Sequence, residues 1–287
     1  MRNADTRTVE SFGAEWTTFD QTGASPVDLD RMFEEFFLVF PWGEISTEAE
    51  GFDVGCGSGR WAARVAPRVG KLHCVDASSA ALHSARRALD GQDNCVFHEA
   101  SVDCMPIPDA SMDFGYALGV LHHVPEPLEA IRSCVEKLRP GAPLLVYMYY
   151  ALDNRPPWFR LLWKATDLAR RAVCRMPHTM KVVVTSAIAV TVYWPFARLA
   201  RAAEDRGRSV ESFPLAYYRR RGLYTMRTDA LDRFGTPLER RFTSAEVVGS
   251  LQAAGLEDVR LSPEPPFWCA VGRRAARSGD AVSRESR

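Results

Sequence analysis

Short apolar runs alternate along this chain with segments in which apolar residues recur every three or four positions. Short runs of this kind are typical of buried strands, and the wider spacing is typical of helices that pack on one face. The pattern therefore predicts strands at residues 51–54, 71–75, 95–99, 112–118, 144–149, 256–261 and 267–272. It predicts helices at residues 29–40, 60–66, 78–89, 128–138 and 243–254.

The order of these elements predicts the fold class. Strands that alternate with helices form a parallel sheet with helices on both faces, so we predict an α/β fold with a Rossmann-like, mostly parallel, seven-stranded sheet. The alternation stops after residue 150, where a long, helical and unusually apolar segment begins, and it returns near residue 243. This segment is too long for an ordinary loop, and we interpret it as a helical lid inserted into the core.

Composition narrows the class of partner and the location. Hydrophobic residues make up 46% of the 287 residues and charged residues 25%, as in ordinary soluble globular proteins. The 36 Lys and Arg residues balance 36 Asp and Glu residues, whereas nucleic-acid binders carry a basic excess, so we expect no nucleic-acid partner. The seven cysteines form no Cys-x-x-Cys pair, and the first ten residues lack an apolar signal core. We therefore expect a cytoplasmic protein.

A glycine-rich turn follows the first predicted strand. Gly55, Gly57 and Gly59 stand between that strand and a helix. Glycine there permits a positive φ and close approach of a ligand, and the helix start offers unpaired N–H groups. A plain tight turn is the alternative, but it needs one glycine rather than three. Because the dinucleotide fingerprint is Gly-x-Gly-x-x-Gly, the spacing found here argues against a dinucleotide.

Two carboxylates beside the turn narrow the ligand further. Asp53 precedes the first glycine, where a carboxylate is unfavourable near a pyrophosphate but suits an ammonium group. Asp76 ends the second predicted strand, where a carboxylate can accept both ribose hydroxyls; a merely solvated Asp is the alternative. S-adenosylmethionine (SAM) has an ammonium group and a ribose and lacks phosphate. The sequence therefore predicts SAM as the cofactor.

Five motifs in order make the chain resemble class I SAM-dependent methyltransferases, and in particular the broad type 11 group that includes quinone-biosynthesis enzymes. The motifs are Asp53-Val54-Gly55-Cys56-Gly57-Ser58-Gly59, Val75-Asp76-Ala77-Ser78, Met105-Pro106-Ile107-Pro108-Asp109-Ala110-Ser111-Met112-Asp113, Gly119-Val120-Leu121-His122-His123-Val124 and Leu138-Arg139-Pro140-Gly141. The resemblance covers about residues 50–150 and 240–272. It implies methyl transfer from SAM and says little about the acceptor.

The resemblance also implies a set of cofactor contacts. The glycine loop would hold the methionine end of SAM, Asp76 would hold the ribose, and Gly119 would border the methyl group. The predicted cofactor-binding residues are Trp16, Asp53, Gly55, Cys56, Gly57, Gly59, Asp76, Ala77, Ser101, Val102, Asp103 and Gly119.

The roles of the adenine-contacting residues and of the lid residues cannot be carried over directly from similar methyltransferases. Similar methyltransferases commonly carry Asp-Ala where this chain has Ser101-Val102, so the resemblance passes the contact with the adenine amino group to Ser101 or Asp103. Similar enzymes also fold an aromatic N-terminal segment over the cofactor, which makes Phe12 and Trp16 candidate lid residues. Packing of these two rings against the first helix is an equal alternative.

Methyl transfer asks the protein mainly to align the acceptor and to exclude water, because the sulfonium already activates the methyl group. A base is needed only where the acceptor must lose a proton. His122 and His123 follow the fourth predicted strand, and one of them is our candidate base, with a plain loop hydrogen bond as the alternative. No carboxylate pair or metal-ligand cluster stands out, so we expect no metal. The predicted acceptor contacts are Tyr147, Tyr149, Tyr218 and Arg219.

The inserted segment is both apolar and basic. Residues 155–208 contain eleven Arg or Lys against three Asp or Glu, and residues 182–197 are largely apolar. These sixteen residues fall short of the about twenty that a membrane span needs. We therefore predict a lid whose Trp158, Trp163 or Trp194 lines the acceptor pocket. Weak peripheral contact with anionic lipid is the alternative, and both interpretations favour a small, partly apolar acceptor.

These interpretations divide the chain into five parts. They are a cap over the cofactor (1–48, its first eleven residues disordered), a SAM-binding core (49–151), a mainly helical lid that contacts the acceptor (152–238), the end of the core (239–273) and a disordered tail (274–287). Three other functions stay open: a non-catalytic SAM-fold assembly subunit, an NAD(P)-dependent oxidoreductase, and a SAM-fold enzyme with a non-methyl reaction. The acidic residues beside the loop argue against the first, and the glycine spacing argues against the second.

Overall fold

The sheet has the predicted order of strands and helices. A computed structural model describes residues 3–276, and in that range seven strands form one sheet in the order β3-β2-β1-β4-β5-β7-β6. The first five strands run parallel, and β7 is antiparallel to both of its neighbours. The predicted fold class is confirmed. The strands are β1 (Glu50–Val54), β2 (Lys71–Asp76), β3 (Cys95–Glu99), β4 (Phe114–Leu118), β5 (Pro143–Tyr147), β6 (Leu256–Leu261) and β7 (Cys269–Arg274).

Helices cover both faces of this sheet and form the inserted segment. The α-helices of the described range are α1 (Thr6–Thr18), α2 (Pro26–Phe36), α3 (Ala62–Val65), α4 (Ser79–Ala88), α5 (Pro127–Lys137), α6 (Pro157–Val173), α7 (His178–Ile188), α8 (Trp194–Glu204), α9 (Leu223–Gly235) and α10 (Ser244–Ala253). The core elements differ from the predicted ones by a few residues. The last strand, for example, continues to Arg274 because that residue pairs with Leu256 of β6.

The core lies in two apolar layers, one on each face of the sheet. Along β5, Leu144 and Val146 pack into the layer that includes α5 and α10, whereas Leu145 packs into the layer that includes α2, α3 and α4. This alternation is the period of two that a strand imposes on its side chains. A strand buried on both faces is therefore continuously apolar, and each fully buried leucine contributes about 1.5–3 kcal/mol to stability.

The start of the chain corrects one prediction. Disorder over residues 1–11 is wrong for the described part, because α1 already begins at Thr6. The carboxylate of Asp5 accepts a hydrogen bond from the Thr8 amide at 2.8 Å, which satisfies one of the free donors at a helix start. α1 then packs on both α4 and α9. Residues 277–287, which contain most of the predicted tail, lie outside the described residues.

The insertion corrects a second prediction. α7, the π-helical turn Ala189–Tyr193 and α8 form one continuous helix, His178–Glu204, of 27 residues. Proline lacks an amide and crowds the carbonyl four positions earlier, and the wider turn before Pro195 accommodates it. By length and composition alone this helix is long and apolar enough to cross a membrane. The argument that the apolar segment is too short for a span is therefore wrong.

Candidate functional site

A cavity of about 1030 Å³ lies at the carboxyl edge of the sheet. Its wall includes Gly55 after β1, Asp76 at the end of β2, Gly119 after β4 and Tyr147 at the end of β5. This is the edge at which open α/β sheets bind ligands. The volume stands at the upper end of the roughly 300–1,000 Å³ typical of ligand pockets. The cavity therefore has room for a cofactor and a second molecule beside it.

The glycine loop is tightly covered. Gly55 and Gly57 have φ values of +68° and +56°, a region that favours glycine. A Cβ atom on Gly55 would lie 2.2 Å from Val120, and one on Gly57 would lie 2.8 Å from Trp16 Nε1. Trp16 of α1 therefore packs directly on the loop. Gly55 lines the cavity, whereas three predicted loop contacts are not on the wall, namely Cys56, Gly57 and Gly59.

Asp76 lies on the cavity wall with its carboxylate held by the backbone. Its Oδ2 atom accepts a hydrogen bond from the Gly57 amide at 3.0 Å, and its Oδ1 atom accepts one from the Ser78 amide at 2.8 Å. Burial raises the pKa of Asp76, and these two amides act against that rise. Each oxygen keeps a second lone pair, which can accept a hydrogen bond from a hydroxyl group. This geometry fits the predicted ribose contact, and Ala77 lies beside it on the wall.

Asp53 lies behind the wall rather than on it, with 1% of its surface exposed. Burial raises its pKa to about 8, and its Oδ2 atom has no hydrogen-bond partner among the described residues. An unpartnered buried carboxylate oxygen is costly, and a cationic group at the loop would offset that cost. The residues present therefore fit SAM, whose ammonium group would approach this side of the loop. A direct contact with Asp53 stays a prediction.

The predicted adenine contacts separate into two groups. Ser101 and Val102 lie on the cavity wall, whereas Asp103 does not. The Asp103 carboxylate accepts hydrogen bonds from the Asn3 amide at 3.3 Å and from the Ser101 hydroxyl. It therefore links the N-terminal segment to the core. Because Asp103 is not on the cavity wall, the structure does not support its predicted direct contact with adenine.

The two predicted histidines have different surroundings. His122 is fully buried away from the cavity, and burial lowers its pKa well below the usual value. His123 lines the cavity, and its Nδ1 atom lies 2.6 Å from the Leu238 carbonyl. Because a carbonyl only accepts, Nδ1 carries the proton and Nε2 is the acceptor. Burial lowers the pKa of His123 to about 4, so the ring is neutral at pH 7.

Acidic side chains that the sequence analysis did not single out share the cavity wall with His123. Asp229 and Asp232 of α9 and Glu15 of α1 all line the cavity. Oδ1 of Asp232 lies 3.9 Å from His123 Nε2, and its Oδ2 atom accepts a hydrogen bond from the Tyr149 hydroxyl. Burial and the charge of Glu239 raise the pKa of Asp232 to about 7.

The charge of Asp232 also acts on the carboxyl group of Glu15. Burial raises the pKa of Glu15 well above its usual value, and the nearby charge of Asp232 raises it further. One Glu15 carboxylate oxygen is buried without a hydrogen-bond partner among the described residues. This interaction did not stand out in the sequence. The sequence signal was weak, since these residues lie far apart in the chain and the charged stretch around Asp232 has the pattern of a solvated segment.

The four predicted acceptor contacts all lie on the cavity wall. Tyr147 and Tyr149 share a face, as strand alternation predicts, with ring centroids 5.7 Å apart. The Tyr218 hydroxyl donates a hydrogen bond to the Asp229 carboxylate. Nε of Arg219 donates one to the Glu204 carboxylate at 2.9 Å. Contact of these side chains with an acceptor stays a prediction.

The tryptophans predicted to line the pocket do not do so. Trp158 and Trp194 are 49% and 39% exposed, and neither they nor Trp163 belong to the cavity wall. The helix periodicity turns the neighbouring Tyr193 inward onto the wall instead. Trp163 packs against the guanidinium group of Arg241, at 5.0 Å. This part of the lid prediction is wrong.

Comparison with known proteins agrees with the fold and the loop. A family model described as a methyltransferase domain matches residues 52–146. The 27-O-demethylrifamycin SV methyltransferase of Amycolatopsis mediterranei is 37% identical over 98 residues, which are 32% of this chain and 35% of that protein. The ubiquinone biosynthesis O-methyltransferase of Alkalilimnicola ehrlichii is 32% identical over 107 residues, 37% of this chain and 42% of that protein. The matches thus span well under half the length of these curated relatives.

Solved structures extend the likeness to nearly the whole chain. A chain in the complex between the Haloferax volcanii Trm112 methyltransferase activator and a methyltransferase is 13% identical, with a TM-score of 0.51 over 94% of this chain and 98% of that one. A protein of Bordetella parapertussis is 16% identical, with a TM-score of 0.52 over 92% and 79% of the two chains. At these identities the likeness concerns the fold.

Proposed function

Since this chain carries the domain of a class I SAM-dependent methyltransferase, we propose that it transfers a methyl group to the oxygen, nitrogen or carbon of a small, partly apolar acceptor. The observation that carries the proposal is the continuity of the cavity. One space runs from Asp76, at the predicted ribose, to Asp232 and His123, at the acceptor end. A cofactor held along the first part would present its methyl group to the second.

The cofactor supplies the electrophile, a methyl group on a positively charged sulfur. The chain supplies alignment and a dry environment, because aromatic side chains of β5 and the insertion form the wall around the acceptor. They include Tyr147 of β5, Tyr149 just after it, and Tyr193 and Phe213 of the insertion, and Phe36 of α2 also lines the wall. Charged and polar side chains stand between these rings, and a wall of this mixed character suits a molecule that is apolar only in part. Alignment of the reacting atoms is the main catalytic contribution that such a site offers.

Asp232 is the proposed proton acceptor for an acceptor that must lose a proton. The Tyr149 hydroxyl donates to Oδ2 and fixes the carboxylate, while Oδ1 faces His123 Nε2 across 3.9 Å. A group that acts as a base works best with a pKa near the working pH, and Asp232 at about 7 meets this condition better than His123 at about 4. An acceptor that must lose its proton to be methylated would pass that proton to Oδ1 of Asp232.

The setting belongs to the same proposal. We propose that the protein works in the cytoplasm and contacts membrane lipid weakly and reversibly. The basic character of the insertion and the aromatic rings on the cavity wall support this. Neither a metal nor nucleic acid has a part in the proposed reaction.

The experiment is calorimetric titration with S-adenosylhomocysteine, with NADH as the comparison ligand, followed by transfer of radiolabelled methyl groups to a panel of phenols, amines and quinols. We expect binding of S-adenosylhomocysteine alone and labelling of at least one apolar acceptor. Binding of NADH instead would overturn the cofactor. Tight cofactor binding without labelling of any class of acceptor, or of cell extract, would favour the non-catalytic subunit.

A further inference from the structure

The large apolar side chains that reach solvent are concentrated on the insertion. Among residues 3–276, large apolar residues with a substantial exposed fraction outside the insertion are Val27, Leu38 and Val96. Those on the insertion are Trp158, Leu161, Leu162, Leu168, Met180, Val183, Val190, Val192, Trp194, Phe196 and Leu199. We call them the outer apolar surface. Exposed apolar side chains concentrated in this way are typical of a binding surface.

α6 carries two separate stripes on its exposed side. Trp158, Leu161 and Leu168, with Ala165 between the two leucines, recur at three- and four-residue intervals and form an apolar stripe. The exposed basic residues of α6 and of the turn after it recur in the same way and form a second stripe, namely Arg160, Lys164, Arg171 and Arg175. Asp167, the acidic residue of this helix, is 13% exposed and binds Arg170 and Arg171.

The long helix His178–Glu204 presents an exposed side without charge over most of its length. Its exposed residues from Thr179 to Leu199 are apolar, small or hydroxyl-bearing. The lysine within that stretch, Lys181, is turned inward, where its ammonium group donates to the Gly235 carbonyl at 2.9 Å. Only 22% of the most apolar part of the helix is buried inside the protein. In water such a side is unfavourable.

The inner side of the same helix belongs to the active cavity. α7 packs on α9, which carries Asp229 and Asp232, and Tyr193 lines the cavity. A single layer of helix therefore separates the outer apolar surface from the acceptor compartment. A molecule dissolved in an apolar phase against that surface would lie about one helix diameter, roughly 10 Å, from the cavity.

We propose that the outer apolar surface lies in the interface of an anionic phospholipid bilayer, with α6 and the long helix parallel to the bilayer plane. The apolar stripes would enter the region between headgroups and acyl chains, and the basic stripe of α6 would contact the anionic headgroups. A partly apolar acceptor then reaches the cavity from the lipid rather than from water. The statement about the acceptor rests on the proposed methyl transfer, whereas bilayer binding does not.

The structure favours this arrangement over a membrane span. Crossing the bilayer would strip the long helix of its inner contacts. Lys181 would lose the Gly235 carbonyl, and Arg198 would lose the Arg221 carbonyl, to which it donates at 3.0 Å. A charged side chain without these partners is costly in hydrocarbon. At the interface the same contacts remain.

The structure also favours lipid over a second copy of the chain. A symmetric dimer built on this surface would place the same patch on both subunits. The interface would then contain the basic stripes of both α6 helices, with no exposed acidic residue on α6 to neutralise them. Anionic headgroups complement that stripe, and a second copy does not.

The test is co-sedimentation of the full chain with phosphatidylcholine vesicles and with vesicles that also contain phosphatidylglycerol, at low and high salt. We expect binding that requires the anionic lipid and weakens at high salt. The paired substitutions Leu161→Glu with Leu168→Glu, and separately Arg160→Glu with Lys164→Glu, should each lower the partition coefficient at least roughly tenfold. Val27→Glu, at an exposed position on α2, is the matched control and should bind as the unchanged protein does.

Affinity for S-adenosylhomocysteine, measured on every variant, separates this proposal from the proposed function. Retained affinity with lost vesicle binding supports the surface assignment and shows that the variants fold. The proposal is overturned if the unchanged protein ignores anionic vesicles, or if the substitutions leave binding unaffected. Protein that stays in the bilayer after high salt and alkali and needs detergent would show a span. A dimer in sedimentation velocity that Leu161→Glu dissociates would show a self-interface.

Discussion

Nε2 of His123 lies 3.9 Å from Oδ1 of Asp232, and the two residues come from different parts of the chain. His123 follows β4 of the core, whereas Asp232 lies on α9 of the insertion. The acceptor end of the cavity is therefore assembled from both parts. This pairing is what makes the insertion more than a cover, because it contributes an ionisable group to the site.

Replacement of Asp232 should change how activity depends on pH. If Asp232 accepts the acceptor proton, activity of the unchanged protein rises with pH up to about 7, the pKa of Asp232. Asp232→Asn removes the base and should lower kcat by roughly 10²–10⁴-fold. Initial rates between pH 5.5 and 8.5 check this, with Asp229→Asn on the same helix as the matched control. An unchanged pH profile in Asp232→Asn would assign the proton to another group.

The same carboxyl group should leave a signature in stability. An aspartate in the unfolded chain has a pKa of about 3.9, whereas folding raises that of Asp232 to about 7. Between these values the folded state keeps a proton that the unfolded state has lost, so stability from this group falls as pH rises. The melting temperature of the unchanged protein, relative to Asp232→Asn, should decline from pH 4 to pH 7 and then level off. A constant difference would contradict the raised pKa.

Removal of the Asp76 carboxylate should weaken cofactor binding. Charged hydrogen bonds contribute about 1.5–3 kcal/mol, so Asp76→Ala should lower the affinity for S-adenosylhomocysteine by roughly tenfold or more in calorimetry. The change also releases the amides of Gly57 and Ser78, and a melting curve is needed beside the titration. The exposed Asp93 offers a matched control as Asp93→Ala. Full affinity in a folded Asp76→Ala protein would refute the ribose assignment.

A side chain at Gly57 should abolish cofactor binding and also lower stability. The backbone at Gly57 has a φ of +56°, and a new Cβ atom would lie 2.8 Å from Trp16 Nε1. Gly57→Val should therefore melt at a lower temperature. Combining it with Trp16→Ala removes the clash but not the backbone strain, so stability should return in part while affinity stays low. Recovered affinity in the double variant would show that Trp16, not the loop, limits binding.

The sequence was most informative where local chemistry decides the outcome. The strand runs, the glycine turn and the strand-end Asp76 each follow from spacing and residue type, and each has its expected place in the structure. Asp103 is the instructive exception. Its sequence position suggested adenine, but its carboxylate binds the Asn3 amide from a distant segment, which no local pattern shows.

The residues at the acceptor end of the cavity could not be predicted from local sequence patterns in the same way. The charge of Asp232 acts on Glu15 only because α1 packs on α9. The raised pKa values of both groups arise from burial rather than from residue type. The length of the long helix was missed for a different reason. The apolar run ends near Pro195, but the π-helical turn before it lets the helix continue to Glu204.

The position of α1 has a kinetic consequence. Trp16 of this helix packs on the glycine loop, and its Phe12 ring lies 4.9 Å from His123. One helix therefore covers both the cofactor end and the acceptor end of the cavity. α1 must therefore move away for the cofactor to enter. It must return before the wall around the acceptor is complete. We therefore expect turnover in compulsory order, with the methyl donor entering first and its demethylated product leaving last. Product inhibition by S-adenosylhomocysteine would then be competitive with SAM and non-competitive with the acceptor.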